Sequence, residues 1–180
     1  MLAGMTETHL TMAELEASLP HIRQSPKDDG VLQMIVRRPA VGEREVLDAG
    51  ELDAAVGLVG DRWRSRANTD TQINIMNARA IDVIAGGRGR WPLAGDQLFV
   101  DFDLSGANAP PGTQLAIGSA VVEITEPPHT GCSKFEARFG ADARTFVNSP
   151  VGRALSLRGV NAKVIQPGAI RLGDRVRKRS

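Results

Sequence analysis

Cys132 is the only cysteine among 180 residues, and its neighbours are of the kind that activate a thiol. Gly131 before it lets a backbone or a ligand approach closely. The run after it, 133–139, is helical in character, and the dipole at a helix N-terminus favours a thiolate. Lys134 and Arg138 lie within two helical turns, with Arg144, Arg153 and Arg158 further on. Cations facing the sulfur lower its pKa and make it a better nucleophile and metal ligand. The competing reading is a free, buried cysteine acting as a small apolar side chain.

A lone thiolate has few uses. A structural zinc needs about four protein ligands, yet only His129 is near Cys132, while His9 and His21 lie in the N-terminal region. A hydrolase pairing Cys132 with His129 has little geometric freedom across so short a spacing, and no third group stands out to orient the base. A metal that arrives with most of its ligands attached needs one more soft donor, which Cys132 could supply. The clustered Arg and Lys would then hold that anionic cofactor.

Other polar residues each carry a bland alternative. Asp61, in Gly60-Asp61-Arg62-Trp63, could belong to a site loop or stabilise a turn. Asn74, Asn77 and Arg79 could donate to a ligand, although Asn77 also suits a helix cap. Gly87-Arg88-Gly89-Arg90 reads as a solvated loop. Asp96, Asp101 and Asp103 hint at a hard-cation site, but Asp101 and Asp103 alternate with Phe as the wet face of a strand would. The last ten residues hold Arg171, Arg175, Arg177, Lys178 and Arg179 against Asp174 and read as a basic, solvated tail.

The elements that must position these residues come from a composition that can bury a core, with 42% hydrophobic and 24% charged residues. A net charge of +1 and seven aromatic residues, none of them Tyr, exclude whole-surface nucleic-acid binding and base-stacking platforms. No stretch approaches the length of a membrane span, no signal peptide is evident, and one cysteine leaves no intrachain disulfide. These features predict a soluble, cytoplasmic protein with one domain. Gly and Pro punctuate Val-, Ile- and Leu-rich segments, which predicts a mainly β domain with a few short helices. A capping box at Thr11 and Glu14 opens a helix that Pro20 should stop. Strands are predicted at 31–37, 43–47, 71–76, 98–104, 114–117, 120–125, 160–165 and 169–172. The first pair reads as a hairpin, the next-to-last pair is joined by Gly118-Ser119, and the last two should pair across Gln166-Pro167-Gly168. Asn77 should cap a helix that Gly86-Gly87 ends. Eight or so short strands suggest a closed or nearly closed barrel. Residues 127–158 form a helical insertion with helices at 133–139 and 142–148.

These residues in this order resemble the MOSC domain, the module named for the C-terminal part of molybdenum cofactor sulfurases. The resemblance runs from about Val56 to Val176. It rests on Gly60-Asp61, Gln72 and Asn74, Gly95-Asp96, the Ile117-Gly118 hairpin, Glu123-Ile124-Thr125 before the cysteine segment, and Gly168 and Gly173-Asp174-Arg175-Val176. The single cysteine falls where that family places its characteristic one. The resemblance implies a strongly bent β-barrel of the MOSC type with short peripheral helices. Residues 51–180 would form the MOSC domain, and residues 1–50 a helix-and-hairpin extension packed on it. It further implies Cys132 as the molybdenum ligand beside a pterin dithiolene. Lys134, Arg138, Arg158, Arg79, Asn74, Asn77 and Asp61 are then the cofactor-binding candidates. The expected activity is removal of oxygen from an N-hydroxylated or similar small molecule, with electrons from a separate reductase. A sulfur or metal–sulfur carrier using a Cys132 persulfide is the alternative. Neither nucleic acid nor membrane is an expected partner, and a homodimer is left open. Pyridoxal phosphate is not expected, because the chain has no room for the desulfurase domain of larger members. Gly131 replaces the Pro that many members have before the cysteine, and Gly95-Asp96-Gln97 replaces a Gly-Glu-Asn motif, so the pocket loops differ.

Overall fold

The computed structural model describes residues 7–65 and 68–180. Along the chain run helices α1 (Met12–Ala17) and α2 (Leu19–Arg23), strands β1 (Gly30–Arg37), β2 (Glu45–Leu47), β3 (Ala49–Asp53), β4 (Gly57–Leu58) and β5 (Ile73–Asn77), and helix α3 (Ala78–Ala85). Strands β6 (Leu98–Asp101), β7 (Gln114–Ile117) and β8 (Ala120–Ile124) follow, then helices α4 (Ser133–Phe139), α5 (Ala141–Asn148) and α6 (Pro150–Ala154). The chain ends with β9 (Val160–Gln166), β10 (Gly168–Arg171) and β11 (Arg175–Lys178).

Seven of these strands close a mixed barrel in the order β1-β11-β7-β8-β9-β5-β6 and back to β1. Only β5 and β6 pair in parallel, with Ile75 opposite Leu98. That crossover uses α3, which Asn77 caps by accepting from the Ala80 amide, and Gly86 ends it in the left-handed conformation. Strands β3, β4 and β10 form a separate three-stranded sheet.

Alternating side chains serve two cores. Leu32, Ile75, Leu98 and Val100 point into the barrel with Ile73, Val122, Ala162 and Val176. Met34, Met76 and Phe99, on the opposite face, pack beneath the helices against Ile81, Phe135, Phe139 and Phe146. Burial on both faces explains why these strands read as nearly unbroken apolar runs. Burying a side chain of this size stabilises the fold by about 1.5–3 kcal/mol.

Three expectations give way. Pro20 does not end the helical region; it enters the first turn of α2, where its missing N–H costs nothing. β10 pairs with β3, not β9, from Gly168 opposite Leu52 to Arg171 opposite Ala49. A Cβ on Gly168 would stand 2.5 Å from Ser119, so the chain after β9 crosses the β7–β8 turn instead of folding back. The basic tail is β11, the strand that closes the barrel: Val176 is fully buried between Gly30 of β1 and Ile117 of β7. Alternation hides one apolar residue among cations, and charge count alone misreads it.

Candidate functional site around Cys132

Cys132 is the residue that caps helix α4, with an extended backbone and a carbonyl that accepts from the Glu136 amide. Gly131 is clamped by one side chain of α5. Its N–H donates to Asn148 Oδ1 and its carbonyl accepts from Asn148 Nδ2, both at 2.9 Å. A Cβ at Gly131 would lie 2.8 Å from Val147 Cγ2, so the close approach requires glycine. The thiol it presents is exposed. Partial burial works to raise the thiol pKa, but the backbone amides of Phe135 and Lys134, the Arg158 charge and the residue's own amide outweigh it. The net shift is downward.

Arg158 belongs to a group of four guanidinium groups that converge on four successive carbonyls. Pro92 accepts from Arg44 at 2.7 Å, Leu93 from Arg138 at 2.7 Å, Ala94 from Arg158 at 3.0 Å and Gly95 from Arg38 at 2.8 Å. Two of the four are neutralised. Arg38 forms a bidentate pair with the buried Asp61, and Arg158 donates to the buried Asp96 at 2.7 Å. Arg44 and Arg138 have no carboxylate within ion-pair distance among the described residues. Partial burial, then the charges of Arg138, Arg38 and Arg62, depress the pKa of Arg44. Arg44 and Arg138, held close to each other with no carboxylate within ion-pair distance among the described residues, form a ready site for an anion.

Arg158 links the two features. Its guanidinium lies 5.0 Å from the Phe135 ring centroid on α4, and its charge acts on both Cys132 and His129. His129 Nδ1 stands 3.5 Å from Asp96 Oδ1, with the ring 18% exposed.

The remaining candidates lie as follows. Lys134 is exposed on α4. Asn74 donates to Asn161, which in turn donates to the Pro127 carbonyl, so this pair ties the 127–131 segment to the barrel. Asn77 is buried and bonds Ser25 and the Phe102 carbonyl. Arg79 pairs with Asp101 and donates to the His21 carbonyl, beside α2 and α3. Asp103 accepts from the Ser105 amide, and no group of three or more His, Cys, Asp or Glu gathers among the described residues. Arg38 and Arg44 were absent from the sequence-based candidates. They flank a Pro-containing loop about ninety positions before Cys132 in the chain, and only closure of the barrel brings them to the 92–95 turn.

Fold and site together define a closed mixed β-barrel that carries one exposed thiol, its pKa lowered in part by Arg158. The chain belongs to the MOSC domain family, whose profile matches residues 64–177. No curated protein matches the sequence. Among solved structures, the YUAD protein from Bacillus subtilis superposes with a TM-score of 0.55 at 17% identity, covering 82% of this chain and 93% of that one. YiiM from Escherichia coli gives 0.56 at 19% identity, over 83% of this chain and 70% of that one. YiiM from Geobacillus stearothermophilus gives 0.55 at 14% identity, over 84% and 73%. Among the described residues no helix is long and apolar enough to cross a membrane.

Proposed function

We propose that this chain binds a molybdenum–pterin cofactor, with Cys132 as the protein's sulfur ligand, and that the loaded protein removes oxygen from N-hydroxylated or similar N-oxygenated small molecules. The observation that carries the reading is the exposed Cys132 thiol, whose pKa is lowered in part by Arg158; Arg158 donates to the same 92–95 turn as Arg44 and Arg138, neither of which has a carboxylate within ion-pair distance among the described residues. The donor set fits such a group. One soft thiolate without companion ligands cannot build a metal site alone, but it can complete one that arrives with its own sulfurs.

In this reading Arg44 and Arg138 hold the cofactor's anionic end, each already oriented by a backbone carbonyl. The amides of Phe135 and Lys134 and the charge of Arg158 favour the Cys132 thiolate, and Asp96 fixes Arg158. Arg38 and Asp61 brace the turn from below and contribute rigidity more than binding. When bound, the metal supplies the two-electron change that oxygen removal requires, with electrons drawn from a separate reductase. The exposure of Cys132 also suits the second reading, a carrier that holds sulfur as a persulfide.

Metal analysis of protein from a cofactor-producing host separates them. The cofactor reading predicts molybdenum in the wild type, near-complete loss in Cys132→Ser, and reduced retention in the Arg44→Gln, Arg138→Gln double variant. Equal molybdenum in wild type and Cys132→Ser contradicts it, and an added sulfur on Cys132 without metal supports the carrier.

A further inference from the structure

A cavity of about 210 Å³ lies behind the segment that leads to Cys132, and Cys132 is not in its wall. Ile124, Val147 and Val160 supply apolar surface, and His129, Arg153 and Arg158 supply polar groups. An apolar cavity of about 150 Å³ can hold benzene, so this one has room for a single ring with a small substituent.

Two lining residues carry a buried polar atom without a hydrogen-bond partner, Arg158 Nε and His129 Nδ1, and Asp96 Oδ1 behind them is a third. His129 and Asp96 face each other at 3.5 Å and can satisfy one another with a slight adjustment. Arg158 has no such neighbour. Its Nη1 donates to Asp96 and its Nη2 to the Ala94 carbonyl, so its buried Nε–H is a donor awaiting an acceptor. Glycine is required at position 159 behind this corner: with φ +106, a Cβ there would stand 2.5 Å from the Ile75 carbonyl and 3.2 Å from Asp96 Oδ1. Arg153 adds an exposed guanidinium whose Nε is fixed by the Asn148 carbonyl, leaving its outer nitrogens available. Glu126, also in the lining, is exposed to solvent and its charge is screened there.

The geometry points to a binding site for a small aromatic carboxylate, its ring against Ile124, Val147 and Val160, its charge met by the outer nitrogens of Arg153, and one carboxylate oxygen accepting from the Arg158 Nε–H. Charge-assisted bonds to guanidinium groups orient the ligand, and the apolar wall selects for the ring. This goes beyond the cofactor reading, because it concerns a second ligand and needs no metal at Cys132.

Benzoate is the probe, titrated into protein from a host that makes no molybdenum cofactor and followed by backbone amide shifts. Benzoate should perturb Val147, Gly159 and Val160, and neutral benzamide should bind more weakly. Arg153→Gln, a change at an exposed position, should weaken benzoate about fivefold and leave benzamide unaltered. Cys132→Ser should bind benzoate as the wild type does. The site is refuted if benzoate leaves the lining residues unperturbed, if benzamide binds equally well, if Arg153→Gln changes nothing, or if binding is lost with Cys132. None of these results depends on metal content, so the cofactor reading stands or falls separately.

Discussion

Burial pushes the His129 pKa down to about 4; Asp96 opposes the shift, and the charges of Arg158 and Arg38 add to it. In the unfolded chain the ring titrates near its ordinary value of about 6.5. Between those values the unfolded state holds more protons, so the stability tied to a neutral His129 is complete above pH 6.5 and falls as pH drops toward 4. Replacing the ring with an amide removes this penalty. His129→Gln should therefore lose less stability than the wild type between pH 7 and pH 5, by roughly 2 kcal/mol, measured by denaturant unfolding at each pH. Parallel losses in both proteins would show that the ring protonates freely when folded. Asp61 illustrates a different balance. Burial raises its pKa, yet the hydrogen bonds and charge of Arg38, with the amides of Arg38 and Trp63, bring it below the ordinary value. Removing one partner of such a pair leaves the other uncompensated, and Asp61→Ala should cost about 3–5 kcal/mol in a urea melt, whereas a loss below 1 kcal/mol would mean Arg38 finds another partner.

The element that most directly sets the thiol is the α4–α5 pair. Asn148 on α5 holds the Gly131 peptide on both sides, and that peptide delivers Cys132 to the start of α4. Asn148→Ala should cost about 1–3 kcal/mol and raise the Cys132 thiol pKa, seen as a shift of the alkylation rate profile to higher pH. An unchanged profile would mean that α4 alone fixes the thiol. Both helices were legible in the sequence, because Gly131 and Gly140 punctuate amphipathic runs. The clamp was not, since a single Asn carries no periodic signal. The helix Pro150–Ala154 escaped for a related reason: five residues give too short a pattern to show a period.

At the scale of the whole molecule, the barrel was readable from strand count and alternation, including the hairpin at Gly118-Ser119. Its closure was not. Closure depends on β11, whose Arg175, Arg177 and Lys178 surround the single buried Val176, and on β10 leaving β9 for β3. Partner choice between distant strands is written in shape complementarity across the barrel, not in any local pattern. The arginine cluster was illegible for the same reason, because Arg38 and Arg44 reach the 92–95 turn only after β1 has paired with β6. A chain ending after Asp174 would expose the edges of β1 and β7 together, and it should lose cooperative thermal unfolding. A sharp transition near that of the full chain would mean the barrel does not need its last strand.

The central claim is that the Cys132 sulfur joins a molybdenum site assembled elsewhere. X-ray absorption at the molybdenum edge, on protein from a cofactor-producing host, tests it at the bond itself. The account predicts a metal with one sulfur neighbour more in the wild type than in any metal retained by Cys132→Ser. The same metal content with the same sulfur shell in both proteins would contradict it.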